Sequence, residues 1–171
     1  DAVREVYESS FPLALRAPWD EITGARQDEH LLVLLDEEAD DSPPVGLTLV
    51  RHLGDTSFSF VRYFVVDPRR RGAGVGSALM AAVVAHLRDS GRSMLLLDVE
   101  DPAARPADSP DRRDDERRIV FYQRLGVHLL PVGGYAPPDH GSAGEEPELL
   151  LMGAFLQEPS LPDLPLGPAP A

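Results

Sequence analysis

The chain has 171 residues, 43% of them hydrophobic and 26% charged, a profile that fits one globular domain. Its lack of cysteine excludes disulfide scaffolds, thiolate nucleophiles and iron–sulfur clusters, and its lack of lysine excludes Schiff-base catalysts and P-loop lysines. The 16 arginines face 29 carboxylates, and the net charge of -13 disfavours nucleic acid and anionic membranes as partners. A cationic small molecule suits such a surface. No apolar run approaches the roughly 20 residues that span a bilayer.

The first half of the chain predicts two short helices followed by an antiparallel meander. Apolar residues at helical spacing predict a first helix that begins near Val3 and ends before Phe11. A second helix is expected at Pro18, because proline suits the first helical turn. The dipeptide Gly54-Asp55 is typical of a hairpin turn between two strands. The strands of this half are predicted at residues 31–35, 45–52 and 56–66.

The second half predicts one strand–helix–strand crossover and two closing strands. Residues 75–90 carry apolar side chains on one helical face, and Gly91 ends this helix. A single parallel crossover in a mainly antiparallel chain predicts an α/β domain with a mixed sheet. The other elements of this half are predicted at residues 94–99 (strand), 111–125 (helix), 127–130 (strand) and 148–155 (strand).

Composition divides the chain into one domain and a tail. Residues 157–171 hold five prolines and show no periodicity, which is typical of an extended polyproline segment and not of a core element. Residues 1–156 therefore form the predicted domain.

The most informative segment is a glycine-rich turn between a strand and a helix. Gly72, Gly74 and Gly76 follow the strand that ends at Val66, and the helix starts directly after them. Glycines let backbone N–H groups approach a ligand closely, and a helix start adds the positive end of a dipole. The arginines at 69–71 add fixed positive charge. The pattern predicts a phosphate-binding turn.

Two ligand classes compete for this turn. A dinucleotide fingerprint would use Gly72, Gly74 and Ser77, with Asp98 as the acidic residue about 20 positions on. Residues 67–71 intervene between strand and glycines, however, where the dinucleotide turn is tight, and the chain offers only one parallel crossover. An acyl-CoA is the other ligand class.

Two motifs resemble those of the GNAT superfamily of acyl-CoA-dependent N-acyltransferases. Residues 66–79 read V-x-P-x-x-R-G-x-G-x-G-x-x-L, and within them Arg71, Gly74 and Gly76 match the pyrophosphate-binding R-x-x-G-x-G/A element. About 45 residues further on, residues 121–127 read F-Y-x-x-L-G-V and match the second motif of the family. The resemblance covers residues 31–155. It implies a mixed, mostly antiparallel sheet flanked by helices, with a splayed central strand pair that holds acyl-CoA.

The resemblance also implies where the co-substrate binds. Acetyl-CoA, or another acyl-CoA, is the expected co-substrate, and no metal is expected. Backbone groups of Phe64, Val65 and Val66 would pair with the pantetheine arm, and Arg71 would contact the pyrophosphate. The N–H groups expected around the pyrophosphate belong to Gly72, Ala73, Gly74, Val75, Gly76 and Ser77.

Acyl transfer to an amine needs a proton acceptor and a group that assists the departing thiolate. Tyr122 resembles the family tyrosine that hydrogen-bonds the thiolate. Asp98 lies in the strand predicted at 94–99, and Glu100 directly follows it. Because side chains alternate along a strand, the two share one face, and either is a candidate base. The alternative that these two carboxylates pair with nearby arginines stays open. His128 is a further candidate base.

The chain departs from the family pattern at three places. Phe58, Phe60 and Arg62 occupy the strand where many members carry a carboxylate, so an in-strand base is not expected. Asp115 stands where the second motif often has an asparagine. The usual first strand has no counterpart before the helix at Val3.

The resemblance implies an N-acetyltransferase that moves an acetyl group from acyl-CoA to a primary amine of a small, cationic molecule. Direct attack in a ternary complex is expected, because the chain has no cysteine and no serine in an activated setting. Phe11, Trp19 and Tyr135 are expected to line the acceptor pocket. A cytoplasmic location, no nucleic-acid or membrane partner and a homodimer are the further expectations.

Three alternative functions stay open. The acyl donor could be attached to the pantetheine of a carrier protein. The domain could also be a catalytically silent acyl-CoA-binding module whose proline-rich tail docks on a partner. A dinucleotide-binding module is the last alternative, and NAD binding would reveal it.

Overall fold

The computed structural model describes residues 2–10, 16–24, 27–37, 39–135 and 148–157. No helix within these ranges is both long and apolar enough to cross a membrane. The α-helices described are α1 (Ala2–Ser10), α2 (Trp19–Thr23), α3 (Val75–Asp89) and α4 (Pro110–Arg124). The strands described are β1 (Glu29–Leu35), β2 (Pro44–His52), β3 (Phe58–Val66), β4 (Met94–Glu100), β5 (His128–Leu129) and β6 (Leu149–Phe155).

The six strands form one mixed sheet in the order β1-β2-β3-β4-β6-β5. The pairs β1–β2, β2–β3, β4–β6 and β5–β6 are antiparallel, and β3–β4 is parallel. Helix α3 connects the parallel pair, as a crossover between parallel strands requires. The predicted fold class is confirmed: an α/β domain with a mixed, mostly antiparallel sheet flanked by helices.

The central parallel pair splays apart after a short contact. β3 and β4 pair from Phe58 with Met94 to Phe60 with Leu96 and no further. Beyond this point, each strand continues for several residues along its own course, β3 to Val66 and β4 to Glu100. The result is a V-shaped gap at the centre of the sheet, as the family resemblance implied.

A β-bulge lies at the point where the gap opens. Leu49 of β2 pairs with Tyr63 of β3, but the next residue, Val50, pairs with Val61, so Arg62 is an extra residue on β3. A bulge bends its strand and increases the local twist. We attribute the departure of β3 from β4 to this bulge, because it follows the last paired residue directly.

The bulge also reverses which face of the sheet the side chains of β3 meet. Before it, Val61 joins the core beneath α3 and α4. After it, Tyr63 and Val65 join the core beneath α1 and α2, and Phe64 packs on the α3 and α4 side. If Arg62 took part in the regular alternation instead of bulging, the period of two would place Val65 with Val61 and Phe64 on the opposite side.

Two hydrophobic cores cover the two faces of the sheet, called here the α3/α4 face and the α1/α2 face. The buried core on the α3/α4 face contains Val50, Val61, Met80, Val83, Leu87, Leu95, Leu97, Val99, Tyr122, Val127, Met152 and Leu156. The buried core on the α1/α2 face contains Val6, Tyr7, Ile22, Leu47, Leu49 and Val65. The alternation Leu95, Leu97, Val99 leaves Asp98 of β4 pointing to the α1/α2 face, whereas the carboxylate of Glu100, at the end of the strand, reaches Arg118 of α4.

Candidate active site

The edges of the V-shaped gap are strand backbone beyond the end of the β3–β4 pairing. In the described part of the chain, that pairing ends at Phe60 and Leu96, and the ladder does not continue to Phe64, Val65 and Val66. Unpaired strand backbone is a ready hydrogen-bonding partner for an extended ligand. Phe64, Val65 and Val66, the residues predicted to pair with pantetheine, lie on this edge.

The glycine turn has the conformation that an anion site needs. Gly72 and Gly74 both have φ of +81°, in the left-handed region that favours glycine. A Cβ at either position would point into open space, so the backbone is accessible there. Gly74 caps α3, whose first helical bond runs from the N–H of Ala78 to the carbonyl of Gly74 at 3.0 Å. The N–H groups preceding Ala78 therefore lack intrahelical acceptors and can bind a phosphate.

Gly76 serves a different purpose in the first turn of α3. A Cβ there would meet the Phe121 ring of α4 at 3.0 Å and a methyl of Val66 at 3.5 Å. This glycine lets the start of α3 approach both β3 and α4 closely. The phosphate turn and the second motif, which contains Phe121, are thereby fixed against each other.

The three consecutive arginines of the turn have three different environments. Asp67, 5% exposed, accepts hydrogen bonds from the backbone N–H and the guanidinium of Arg69, and the Arg69 side chain lowers the pKa of its carboxyl. Arg70 pairs with Asp36 at 2.7 Å. Arg71 is exposed and forms no ion pair with any described residue. Arg71 is therefore the arginine whose charge is available to a ligand.

Tyr122 lies on the α3/α4 face beside the gap. Its ring packs edge-on against Phe64 of β3, with centroids 5.9 Å apart, and against Phe121, at 5.2 Å. Burial raises the pKa of its phenol, with the charges of Glu100 and Asp98 acting in the same direction and Arg118 opposing them. A raised pKa keeps the hydroxyl protonated, so Tyr122 can donate a hydrogen bond.

Asp98 lies on the other face of the sheet and is bound by Tyr135. The Tyr135 hydroxyl donates to Asp98 Oδ2 at 3.0 Å, and burial together with Asp98 raises the pKa of that phenol. Two residues predicted for separate roles, one as a base and one as a pocket-lining residue, are thus in direct contact. Their contact joins the β5–β6 loop to the central strand.

Glu100 is engaged by an arginine, as the alternative left open by the sequence anticipated. Its carboxylate accepts a bond from Arg118 of α4, which also lies 3.8 Å from Asp115. Asp115 is buried and pairs with Arg105 at 3.1 Å. Glu100 would have to release Arg118 to act as a base, which makes Asp98 the better candidate.

The remaining predicted residues have the following positions. Trp19 is half-buried on the α1/α2 face, with its ring 5.7 Å from that of Tyr7. Phe11 lies outside the described residues. His128 is exposed on β5, at the far edge of the sheet from β3. Among the described residues, no group of three or more potential metal ligands could hold an ion.

A basic groove beside the phosphate turn was not predicted from the sequence. The groove, of about 920 Å³, runs along α4, and Phe121 connects it to Gly76. The signal was present in the helical spacing of the arginines. The residues lining the groove are Pro110, Arg113, Asp114, Glu116, Arg117, Val120, Phe121 and Arg124.

This combination of splayed strands, glycine turn and buried tyrosine agrees with the comparisons with known proteins. The model of the acetyltransferase (GNAT) family matches residues 1–126. The chain belongs to this family. It is accordingly an acyl-CoA N-acyltransferase, and acetyl-CoA is the co-substrate that family membership indicates.

Three proteins that are similar to this GNAT chain carry different names. An aminoglycoside N(6')-acetyltransferase type 1 from Stenotrophomonas maltophilia is 34% identical over 115 residues, covering 62% of this chain and 74% of the relative. A GNAT acetyltransferase structure from Bacteroides thetaiotaomicron matches with a TM-score of 0.65 at 25% identity, over 88% of this chain and 77% of that one. Nourseothricin acetyltransferase matches with a TM-score of 0.56 at 25% identity, over 76% and 66%.

Proposed function

We propose that this protein transfers the acetyl group of acetyl-CoA to a primary amine of a small, cationic molecule by direct attack in a ternary complex. The observation that carries the proposal is the arrangement around the V-shaped gap. Tyr122 lies on one face of the sheet, Asp98 lies on the other, and the open strand edges run between them. The donor and the amine can therefore approach a common point from opposite faces.

Acetyl-CoA would supply an activated acyl group on a thiolate leaving group. Asp98, directly or through a water molecule, accepts the proton that the attacking amine loses. The new C–N bond forms as the C–S bond breaks, and Tyr122 donates a hydrogen bond to the departing thiolate. Because the pKa of Tyr122 is raised by burial, stabilisation by hydrogen bonding is favoured over complete proton transfer.

The donor-binding part of the proposal rests on the turn and the basic groove. The N–H groups of Gly72, Ala73, Gly74, Val75, Gly76 and Ser77, with Arg71, are proposed to hold the pyrophosphate. The groove arginines Arg113 and Arg124, which form no ion pair with a described residue, add positive charge next to it. The whole protein carries a charge of -13, so these arginines provide a local attraction for an anionic donor.

The proposed acceptor class rests on the charge of the protein and on the name of a relative. The acidic surface favours cationic amines, and a 34% identical relative is named for aminoglycosides, which are polycationic amines. Tyr135 and Trp19 are proposed to line the acceptor pocket on the α1/α2 face. The proposed donor also implies a cytoplasmic site of action. A homodimer stays a prediction of the family resemblance.

Calorimetric titration with acetyl-CoA, with NAD as the control ligand, tests the donor. Acetyl-CoA is expected to bind in the micromolar range, and Arg71→Gln is expected to weaken it about tenfold, the value of one charge-assisted contact. Arg69→Gln is the matched control, because Arg69 is already bound to Asp67 and should change the affinity less than about twofold. Equal losses in both variants, or binding of NAD alone, would contradict the proposal.

Turnover is then measured by the appearance of free CoA thiol. The chain has no cysteine, so a thiol reagent reports only the released product. Kanamycin and spermidine serve as cationic amine acceptors, and glucose serves as a polyhydroxylated control without an amine. Acetyl-CoA binding without turnover on any amine would support a silent acyl-CoA-binding domain instead.

A further inference from the structure

A polar cavity of about 440 Å³ lies between α2 and the α1/α2 face of the sheet. It is separate from the glycine turn and from the groove along α4, and no step of the proposed reaction uses it so far. The sheet side contributes charged residues from three neighbouring strands. The lining residues are Asp20, Glu21 and Gly24 on the helix side and Glu29, Arg51 and Arg62 on the sheet side.

A buried carboxylate organises the sheet side of the cavity. Glu29 is 5% exposed, and its Oε1 accepts bonds from Arg51 Nε and from Arg62 Nη1, both at 2.7 Å. Two guanidinium groups thus share one carboxylate, which leaves one positive charge in excess. Arg62 Nε and Nη2 form no hydrogen bond with another described residue. The guanidinium lies 5.7 Å from the centroid of the Tyr63 ring, and the Arg62 side chain keeps 16% of its surface exposed. A rigidly held guanidinium with unused donors is a good anchor for an anion.

The helix side of the cavity has the opposite charge. Asp20 and Glu21 are exposed on α2, and neither side chain forms an ion pair with a described residue. An arginine wall on the sheet side (Arg51 and Arg62) therefore faces a carboxylate wall on the helix side (Asp20 and Glu21). A ligand with charge of one sign only would meet repulsion from one of the two walls.

The arginine wall adjoins the reaction centre. Arg62 is the bulge residue, located where β3 departs from β4 and the V-shaped gap opens. Its contact with Glu29 places its side chain on the α1/α2 face, the same face as Asp98 and Tyr135. A molecule anchored on Arg62 is thus held on the face from which the amine approaches.

We infer that this cavity binds an anionic group of the acceptor, so that the substrate carries a carboxylate or a phosphate in addition to the cationic amine groups of the proposed function. The inference rests on the proposed function, because it assigns the acceptor of that same reaction. Arg62 and Arg51 bind the anionic group through their free N–H donors. Asp20 and Glu21 receive ammonium or hydroxyl groups of the same molecule.

Matched pairs of amines test the inference. Lysine and 1,5-diaminopentane differ by a carboxylate, and O-phosphoethanolamine and ethanolamine differ by a phosphate. Each is titrated calorimetrically into the protein saturated with CoA, and kcat/KM is measured with acetyl-CoA. In at least one pair the anionic member is expected to bind about tenfold or more tightly. A difference between lysine and 1,5-diaminopentane indicates a carboxylate site, and a difference between O-phosphoethanolamine and ethanolamine indicates a phosphate site.

Arg62→Gln is the decisive variant. Glu29 keeps its bonds to Arg51 in this variant, so the buried carboxylate is not left without a partner. The preference for the anionic probe is expected to fall to about onefold to twofold. Arg4→Gln removes the same charge from α1, where Arg4 pairs with Glu8, and should preserve the preference. If Arg62→Gln does not fold, Asp20→Asn on the exposed wall is expected to weaken lysine binding about threefold.

Equal affinity within both pairs in the unaltered protein would overturn the inference. The same holds if Arg4→Gln removes the preference as fully as Arg62→Gln does. Binding of acetyl-CoA with no such preference removes this inference alone and leaves the proposed function in place. Failure to bind acetyl-CoA rejects the proposed function, and the probe titrations without CoA still decide what the cavity binds.

Discussion

The two faces of the sheet differ in the side chains that cover them: one is mainly apolar, and the other is partly charged. The α3/α4 face is a continuous apolar core that includes Tyr122, and one bulky contact, Phe121 against Gly76, fixes the phosphate turn to it. The α1/α2 face has a smaller apolar core and a charged cavity, and Phe58 and Phe155 are 38% and 68% exposed.

This difference makes the α3/α4 face the more rigid one and the α1/α2 face the more tolerant of substitution. Dense apolar packing resists deformation and suits a face that positions an invariant co-substrate. A charged, partly open face can be altered residue by residue without loss of the core, because surface substitutions away from packed or paired groups cost little stability. We expect the α3/α4 face to control the chemistry and the α1/α2 face to control the choice of amine.

The sharpest test compares the two tyrosines on opposite faces. Tyr122→Phe is expected to lower kcat about a hundredfold, because the hydrogen bond to the thiolate is lost. Its effect on folding should be small, since the Tyr122 hydroxyl has no hydrogen-bond partner among the described residues. Tyr135→Phe removes the hydrogen bond to Asp98 and should instead raise the KM of the amine, with less than about a tenfold change in kcat. Equal effects of the two variants on kcat would contradict the proposal that one face controls the chemistry and the other controls the choice of amine.

A pair of glycines tests whether the turn binds the donor or only folds. Gly74 and Gly91 both have positive φ, at +81° and +70°, and a Cβ added at either residue would have no other atom within 4 Å. Alanine at either site should therefore cost a similar ~1–2 kcal/mol of unfolding free energy. Only Gly74→Ala should also weaken acetyl-CoA binding, by about tenfold, because Gly91 follows the other end of α3. Urea denaturation and calorimetry measure the two effects separately.

The smallest expected effect concerns a histidine cluster on the α3/α4 face. His52 is buried, its Nδ1 lies 2.9 Å from Ser59 Oγ, and its ring is 4.6 Å from that of His30. His30 is in turn 5.2 Å from His86, whose Nε2 is buried without a described partner. Burial, followed by the charges of Arg92, His30 and His86, lowers the pKa of His52, while Asp28 acts in the opposite direction.

A lowered pKa fixes the sign of the pH effect on stability. The folded state favours neutral His52, so its contribution is complete above the unfolded pKa of about 6.5 and is lost as pH falls through the folded pKa. The urea midpoint should therefore decrease as the pH is lowered from 7.5 to 5.5. His52→Gln, which does not titrate, should show a shallower fall over the same range. An identical slope in both proteins would show that His52 is not the group responsible.

The sequence was most informative where function depends on neighbouring residues. The donor turn is one contiguous pattern from Val66 to Leu79, and its strand, turn and helix were predicted close to their observed bounds. Small errors at element ends have local causes. The strand expected from residue 56 begins at Phe58, because the Thr56 hydroxyl accepts the Phe58 N–H and the chain is still turning there.

The sequence was least informative where function depends on distant pairs. Glu29 meets Arg51 and Arg62, 22 and 33 residues away, and no local pattern marks these contacts. Nor could the pattern show which arginine of the turn is free, because that depends on where Asp36 lies in the fold. The roles of Asp98 and Tyr122 as proton acceptor and hydrogen-bond donor stay predictions until the variants are measured.

The single extra residue on β3 limits how this enzyme can change its length. A substitution at Arg62 alters one side chain, but a deletion there removes the bulge: strict alternation keeps Phe64 and Val65 on their present faces, and the bend that opens the gap is lost. Insertions and deletions in β3 are therefore constrained by this bend, whereas those in exposed loops are not. Variation in chain length among viable variants should accordingly avoid β3 and accumulate in the connections that shape the acceptor side.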